Sequence, residues 1–160
     1  MTSEDDDRAK LIELMDGMYI AMFTTTSDDG TLQSVPMARQ EVEPDAEMWF
    51  IAARDTKHVA DIQVEPRVSL TFSSRASWVA LTGTAEVVDD DAKLKELWNT
   101  FAEAWLPGGP EDPNAVLIKV VVEEGEYWDT PGGKVASLLS FAKTKLTRDT
   151  YDADHGQVDI

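Results

Sequence analysis

Chemically useful side chains are most concentrated in Arg54-Asp55-Thr56-Lys57-His58. The segment follows an apolar run and precedes Val59 and Ile62, whose spacing predicts a short helix capped by Thr56 and stopped at Pro66. A helix N-terminus offers free N–H groups and the positive end of a dipole. With a hydroxyl and two or three basic groups beside it, this combination suits a phosphate monoester. On its own the motif reads more plainly as an ordinary cap with solvated Lys and His. The tryptophans Trp78, Trp98, Trp105 and Trp128 are equally double in meaning, since large aromatics first fill cores and interfaces. Trp78, however, alternates away from the apolar set Val79, Leu81, Ala85 and Val87, which leaves it free to line a groove for a flat ring.

Other chemistries are refused. There is no cysteine, and the two histidines, His58 and His155, are far apart, so neither thiol chemistry nor a zinc site is expected. Gly132-Gly133-Lys134 is not a phosphate-binding P-loop, because Trp128 stands where its first glycine belongs and Val135 replaces the Ser or Thr. Neither a G-x-S-x-G elbow nor a G-x-G-x-x-G fingerprint occurs. The runs Asp5-Asp6-Asp7 and Asp89-Asp90-Asp91 read as a solvated tail and a helix N-terminal turn rather than metal sites. No catalytic residue emerges.

These groups sit on a chain of 160 residues, a length suited to one domain with one core. The 31 acidic against 14 basic residues give a formal charge of −17. Such a surface repels phosphate backbones and anionic lipid, so no nucleic-acid and no membrane partner is expected. The excess reads first as a solubilising shell. An anionic ligand would need a few well-placed cations to overcome this field locally. No stretch approaches the ~18–20 apolar residues that span a bilayer, and the acidic start is unlike a secretory signal. A cytoplasmic location is the default expectation.

Periodicity supplies the elements. A short helix is expected from Glu4 to Met15, then strands from Tyr19 to Thr26 and from Leu32 to Val42. Asp29-Gly30 turns one strand into the next, and Pro36 marks an edge or a bulge in the second. A third strand, Met48 to Ala52, follows a turn at Pro44-Asp45. Val68, Leu70 and Phe72 alternate as a fourth, and Ser77 to Val88 forms a strand long enough to curl around a barrel. After Asp89-Asp90-Asp91, the residues Leu94, Leu97, Trp98, Phe101 and Trp105 fall on one face of a single helix. Val116 to Val122 alternates as a strand that continues past Gly125. A last helix is expected from Val135 to Lys145, and a loose acidic tail from Asp149. The order predicts a small closed barrel of antiparallel strands with helices outside.

Taken together, several segments resemble the pyridoxamine 5′-phosphate oxidase-like FMN-binding split barrels, in particular the general stress protein branch. They are Ser34-Val35-Pro36-Met37; Trp49-Phe50-Ile51 with Asp55-Thr56-Lys57-His58-Val59; Pro66-Arg67-Val68-Ser69-Leu70; and Trp78-Val79-Ala80-Leu81-Thr82-Gly83-Thr84-Ala85. Trp105-Leu106-Pro107-Gly108-Gly109 with Asp112-Pro113, and Glu126-Tyr127-Trp128-Asp129 leading to Pro131-Gly132-Gly133-Lys134-Val135, complete the match over about residues 8 to 147. No single motif is specific; their order and spacing are.

The resemblance implies a mostly β fold with flanking helices, a six-stranded antiparallel split β-barrel. Residues 1–148 would form the FMN-binding domain and 149–160 an acidic C-terminal tail. It also implies a homodimer with two FMN sites between subunits. Val35, Pro36 and Met37 would run beside the isoalloxazine and ribityl chain, with Ala52 and Ala53 near the ring. Thr56, Lys57 and His58 would hold the phosphate; Trp78 would sit near the ring, and Trp105 and Trp128 would reach the site from the same or the partner subunit. Two departures stand out: family members usually carry Arg at the position of Val35 and Lys at that of His58, with Arg39, Arg54 or Lys57 as compensating candidates. The function implied is a flavoprotein acting as an oxidoreductase on a small molecule. The alternatives are a flavin-sequestering or regulatory protein without turnover, and a barrel that binds a deazaflavin or haem. A true pyridoxamine phosphate oxidase is disfavoured, because no closing Trp and Arg constellation follows Trp128.

Overall fold

A computed structural model describes residues 3–42, 47–130 and 154–159. Helix α1 (Ser3–Met15) precedes β1 (Ile20–Thr26), β2 (Leu32–Val42) and β3 (Glu47–Ala53). Helix α2 (Lys57–Val64) leads to β4 (Arg67–Ser73) and β5 (Ser77–Val88). Two short helices, α3 (Asp91–Leu97) and α4 (Thr100–Trp105), come before β6 (Ala115–Asp129) and β7 (Asp154–Asp159). The strands lie in the order β3-β2-β1-β4-β5-β6, and β3 pairs with β6 to close a six-stranded antiparallel barrel. No helix among the described residues is long and apolar enough to cross a membrane.

Alternation builds the interior. Ala21 and Phe23 on β1, Val68, Leu70 and Phe72 on β4, and Val79, Leu81 and Ala85 on β5 point inward, as the period of two requires. Phe23 and Phe50 meet edge to face at 5.2 Å across the middle. The start of β6 breaks the alternation, because Ala115, Val116, Leu117 and Ile118 are all buried. Val116 and Ile118 join the barrel core, while Ala115 and Leu117 pack outward on Trp49, Leu94 and Leu106 in a second cluster. A strand covered on both faces reads as an unbroken apolar run. Near its middle β6 bulges, since Thr82 faces Glu124 but Gly83 faces Val122. A Cβ at Gly83 would lie 2.1 Å from the Val121 carbonyl oxygen, so only glycine permits this approach.

Two expectations are corrected. The single helix carrying Leu94 through Trp105 is broken: Trp98 and Asn99 are extended, and Asn99 opens α4 by accepting a hydrogen bond from the Ala102 amide on its side-chain oxygen (3.0 Å). A local cap has won over a continuous apolar stripe. The loose tail is also overturned over its last residues. β7 pairs along the outer half of β6, from Glu124↔Asp159 to Asp129↔Asp154. There Gly156 makes room for the Tyr127 ring, Val158 is buried and His155 stacks on Trp128. The expected turn at Pro44-Asp45, the Gly132-Gly133-Lys134 motif and the Val135–Lys145 helix lie outside the described residues.

Candidate functional site

The split in the barrel lies between β2 and β3. β2 runs beside β1 over its whole pairing, with Pro36 opposite Met22. Its register with β3 begins only at Arg39↔Phe50 and shifts before Val42↔Met48. Pro36 therefore occupies a local edge, where its missing N–H costs no ladder bond. Beyond Arg39 the two strands part, and a cleft of about 420 Å3 opens between them. Val35, Pro36, Met37 and Ala38 line one side, and Ile51, Ala52 and Ala53 the other. Thr56 and His58 close one end, α4 supplies a wall with Phe101, Ala102, Trp105 and Leu106, and Ile20 and Gln40 complete the lining. The size and the apolar walls with a few convergent polar groups are those of a small-molecule site.

Five consecutive residues after β3 go to three destinations. Arg54 pairs with Asp89 and donates to the Pro113 carbonyl (3.2 Å). Asp55 exchanges bonds with Asn114, receiving one at its carboxylate (3.1 Å) and donating its amide in return (3.2 Å). Lys57 turns the other way, to Ser27 and to Asp61 at 3.1 Å. Only Thr56 and His58 face the cleft. Arg39 is occupied as well, donating to the carbonyls of Met18 (2.8 Å) and Met15 (2.6 Å) at the end of α1. Among the described residues lining the cleft, His58 is the only group that can carry a positive charge.

The Lys57–Asp61 contact fastens α2 to β1. Asp61 is buried and accepts from Thr25 (3.0 Å) and Ser27 (3.3 Å) as well as Lys57. Burial pushes its carboxyl up, but these donors outweigh burial and hold it below the usual carboxylate range. Thr56 occupies the cap position of α2, yet its hydroxyl donates to the Ala53 carbonyl (2.7 Å) and makes no cap bond to the helix. The amides of the first turn thus receive no acceptor from the cap side chain. His58 Nε2 lies 3.3 Å from the Thr56 hydroxyl. Burial lowers the imidazole's pKa, and the Asp61 charge opposes this only in part.

Trp78 and Trp128 do not enter this cleft. They face each other across β5 and β6 and border a second hollow, of about 490 Å3, together with Met22, Phe72 and Ala80. Ile20 belongs to both concavities. Sequence reasoning thus finds Val35, Pro36, Met37, Ala52, Ala53, Thr56, His58 and Trp105 in one place, with Lys57 turned aside and Trp78 and Trp128 next door. It missed Ile20, Ala38, Gln40, Ile51, Phe101, Ala102 and Leu106. Strand and helix periodicity, read from their neighbours Met37, Ala52 and Trp105, was the available signal for most of these.

Known proteins share this architecture. A crystal structure of a candidate general stress protein 26 from Jannaschia sp. CCS1 matches with a TM-score of 0.76 at 28% identity, covering 98% of this chain and 99% of that one. The general stress FMN/FAD binding protein of Xanthomonas citri matches with a TM-score of 0.68 at 24% identity, over 81% of this chain and 93% of that one. Protein bli-3 of Neurospora crassa is 26% identical over 140 residues, 81% of this chain and 67% of that protein. The family described as pyridoxamine 5′-phosphate oxidase like matches residues 6–152. With the split barrel and nearly the whole sequence in agreement, the chain belongs to the pyridoxamine 5′-phosphate oxidase-like family.

Proposed function

We propose that the cleft binds FMN and that the protein is a flavoprotein of the general stress type. The observation that carries this reading is the parting of β2 from β3 beside an uncapped helix start. It sets an apolar slot next to the Thr56 and His58 side chains and the first-turn amides of α2. The small residues Ala38, Ala52 and Ala53 leave room for an isoalloxazine, and Phe101 and Trp105 provide aromatic cover. The first-turn amides of α2, the Thr56 hydroxyl and His58 would receive the phosphate. Lys57 would contribute through its backbone N–H, because its ammonium serves Asp61. When bound, the flavin supplies the redox chemistry; the protein supplies orientation, exclusion of water and local charge.

The functional unit in this reading is a homodimer. Ile20, Met22 and Trp78 are each more than 40% exposed around the second hollow, an apolar surface suited to burial against a second copy. Trp78 and Trp128 would then reach the flavin from the partner.

Turnover as an oxidoreductase is the favoured activity, with a flavin-sequestering role as the second reading. The second is supported by the cleft's composition: apart from His58, its described lining holds no carboxylate or amine to move a proton. Steady-state oxidation of reduced nicotinamide by the FMN-loaded protein separates the two. Consumption above that of free FMN supports the oxidoreductase, and a rate equal to or below free FMN supports sequestration.

A further inference from the structure

Helix α4 carries the aromatic wall of the cleft, yet it is only six residues long. Helices this short have no independent stability in water, so its position depends on what holds it. Its apolar attachments are Ala102 and Leu106, both buried. Phe101 and Trp105 border the slot at 50% and 74% exposure, with ring centroids 6.4 Å apart. A polar connection crosses from β2 to the start of this helix. Gln40 Nε2 donates to the carbonyl of Ala38 (3.2 Å), and Gln40 Oε1 receives Asn99 Nδ2 (2.5 Å). Asn99 Oδ1 in turn accepts from the Ala102 amide (3.0 Å). Asn99 thus uses one end of its amide to start α4 and the other to tie it to the opposite side of the cleft.

We propose that Gln40 and Asn99 are positioning residues, a clasp that sets the gap between β2 and α4 and so holds Phe101 and Trp105 against a planar ring in the slot. This rests on the reading of the cleft as a flavin site and adds to it the residues that govern ring affinity. The clasp grips the ring end and not the phosphate end. Breaking it therefore weakens FMN and riboflavin by the same factor, mainly through faster dissociation.

A double-mutant cycle separates the clasp from the cap. Gln40→Glu keeps an acceptor for Asn99 Nδ2. Asn99→Asp keeps the cap acceptor, and the Gln40 amide can turn to donate to it. Each single variant gives up the bond to the Ala38 carbonyl but retains the contact between β2 and α4, and aspartate is as good a cap as asparagine. Combining the two sets acceptor against acceptor and opens the clasp with the cap intact. Each single variant carries its own loss of riboflavin affinity, and the double variant should bind about threefold to tenfold more weakly than the product of the two single losses. Riboflavin, which carries no charge, removes the effect of the added carboxylates on a phosphate. Amide hydrogen exchange over residues 100–106 should quicken in the double variant alone, with thermal stability unchanged. Gln40→Met, which deletes the acceptor and leaves Asn99 free to cap, should reproduce the faster exchange if the double variant folds poorly. Additive binding losses, or unchanged exchange in the variants that break the contact, would overturn the clasp. Wild type that binds neither flavin would refute the flavin site, and the exchange measurement would still decide the clasp.

Discussion

Two concavities of similar size lie side by side on this barrel, sharing Ile20, and they differ in what their backbones have left to offer. The second hollow rests on β1, β4, β5 and β6; β4–β5 and β5–β6 pair without a break beneath it, and the β1–β4 ladder stops at its edge, at Met22↔Thr71. Its lining is Ile20, Met22, Phe72, Trp78, Val79, Ala80 and Trp128, with only Thr71 and Ser73 for polarity. The cleft lies where pairing fails: β2 leaves β3, α2 starts without a side-chain cap, and α4 crosses as a short separate helix. Those irregularities bring backbone donors, a hydroxyl and an imidazole to one place. An intact sheet face suits an apolar partner; a ligand that must be oriented needs a break in the pattern.

The largest expected effect tests the hollow. Met22→Asp should raise the dimer dissociation constant about a thousandfold, because an unpaired buried carboxylate costs roughly 4 kcal/mol. Light scattering should then report one subunit's mass where wild type reports two. A dimeric variant would place the subunit contact elsewhere. Next comes the cleft. Ala38→Trp fills the slot from a half-buried position, and displacing ~120 Å2 of apolar ligand contact at about 25 cal/mol per Å2 should weaken FMN roughly a hundredfold. The dimer should survive. Together the two variants separate assembly from ligand, and the comparison breaks if both lose the same property.

A smaller effect distinguishes neighbours on α2. Lys57→Ala should lower stability by about 1–2 kcal/mol, discounted because its ammonium is partly exposed, by leaving the buried Asp61 short of a donor. The sign follows from the depressed carboxyl. Wild-type stability from Asp61 is complete above the ordinary aspartate value of about 3.9 and is lost as pH falls through the lowered one. In Lys57→Ala the acid-induced loss should be smaller and end at higher pH, because the folded carboxyl is held less far below its unfolded value, as denaturant midpoints against pH will show. A large fall in FMN affinity with unchanged stability would instead make Lys57 a phosphate ligand.

The smallest effect concerns His58. Its pKa is lowered by burial, so the free protein holds it mostly neutral near pH 7, and stability falls as pH drops below the unfolded value of about 6.5. A bound phosphate dianion would raise the imidazole's pKa, so FMN binding should take up a proton and tighten from pH 8 toward 6.5. His58→Lys should bind about threefold to tenfold tighter at pH 8 with a flatter profile. Parallel profiles for the two proteins would remove His58 from the phosphate.

The elements were legible where one face of a strand is buried and alternation reports it, as for β1, β4 and β5. A closed barrel was legible in the order of the strands and the length of β5; that β3 and β6 are the pair that closes it was not, because pairing between distant strands leaves no local mark. β7 was hidden for a related reason: Val158 is its one buried apolar side chain, and its register depends on Gly156 yielding to Tyr127. The break before α4 was missed because helical spacing counts apolar residues and is blind to Asn99 as a competing cap. At the site, residue type marked Thr56 and His58, but which of five neighbours turns inward depends on the path of the loop. Hence Lys57, the strongest charge in the motif, faces Asp61.

The central claim is that the parted strands and the start of α2 form an FMN site, and the direct test is equilibrium titration of the flavin-free protein with FMN and riboflavin, followed by flavin fluorescence and the visible spectrum. The account predicts saturable binding of one flavin per subunit, a shifted and structured visible band, and tighter binding of FMN than of riboflavin. Equal affinities would detach the phosphate from Thr56 and His58, and a spectrum of FMN unchanged by excess protein would contradict the site itself.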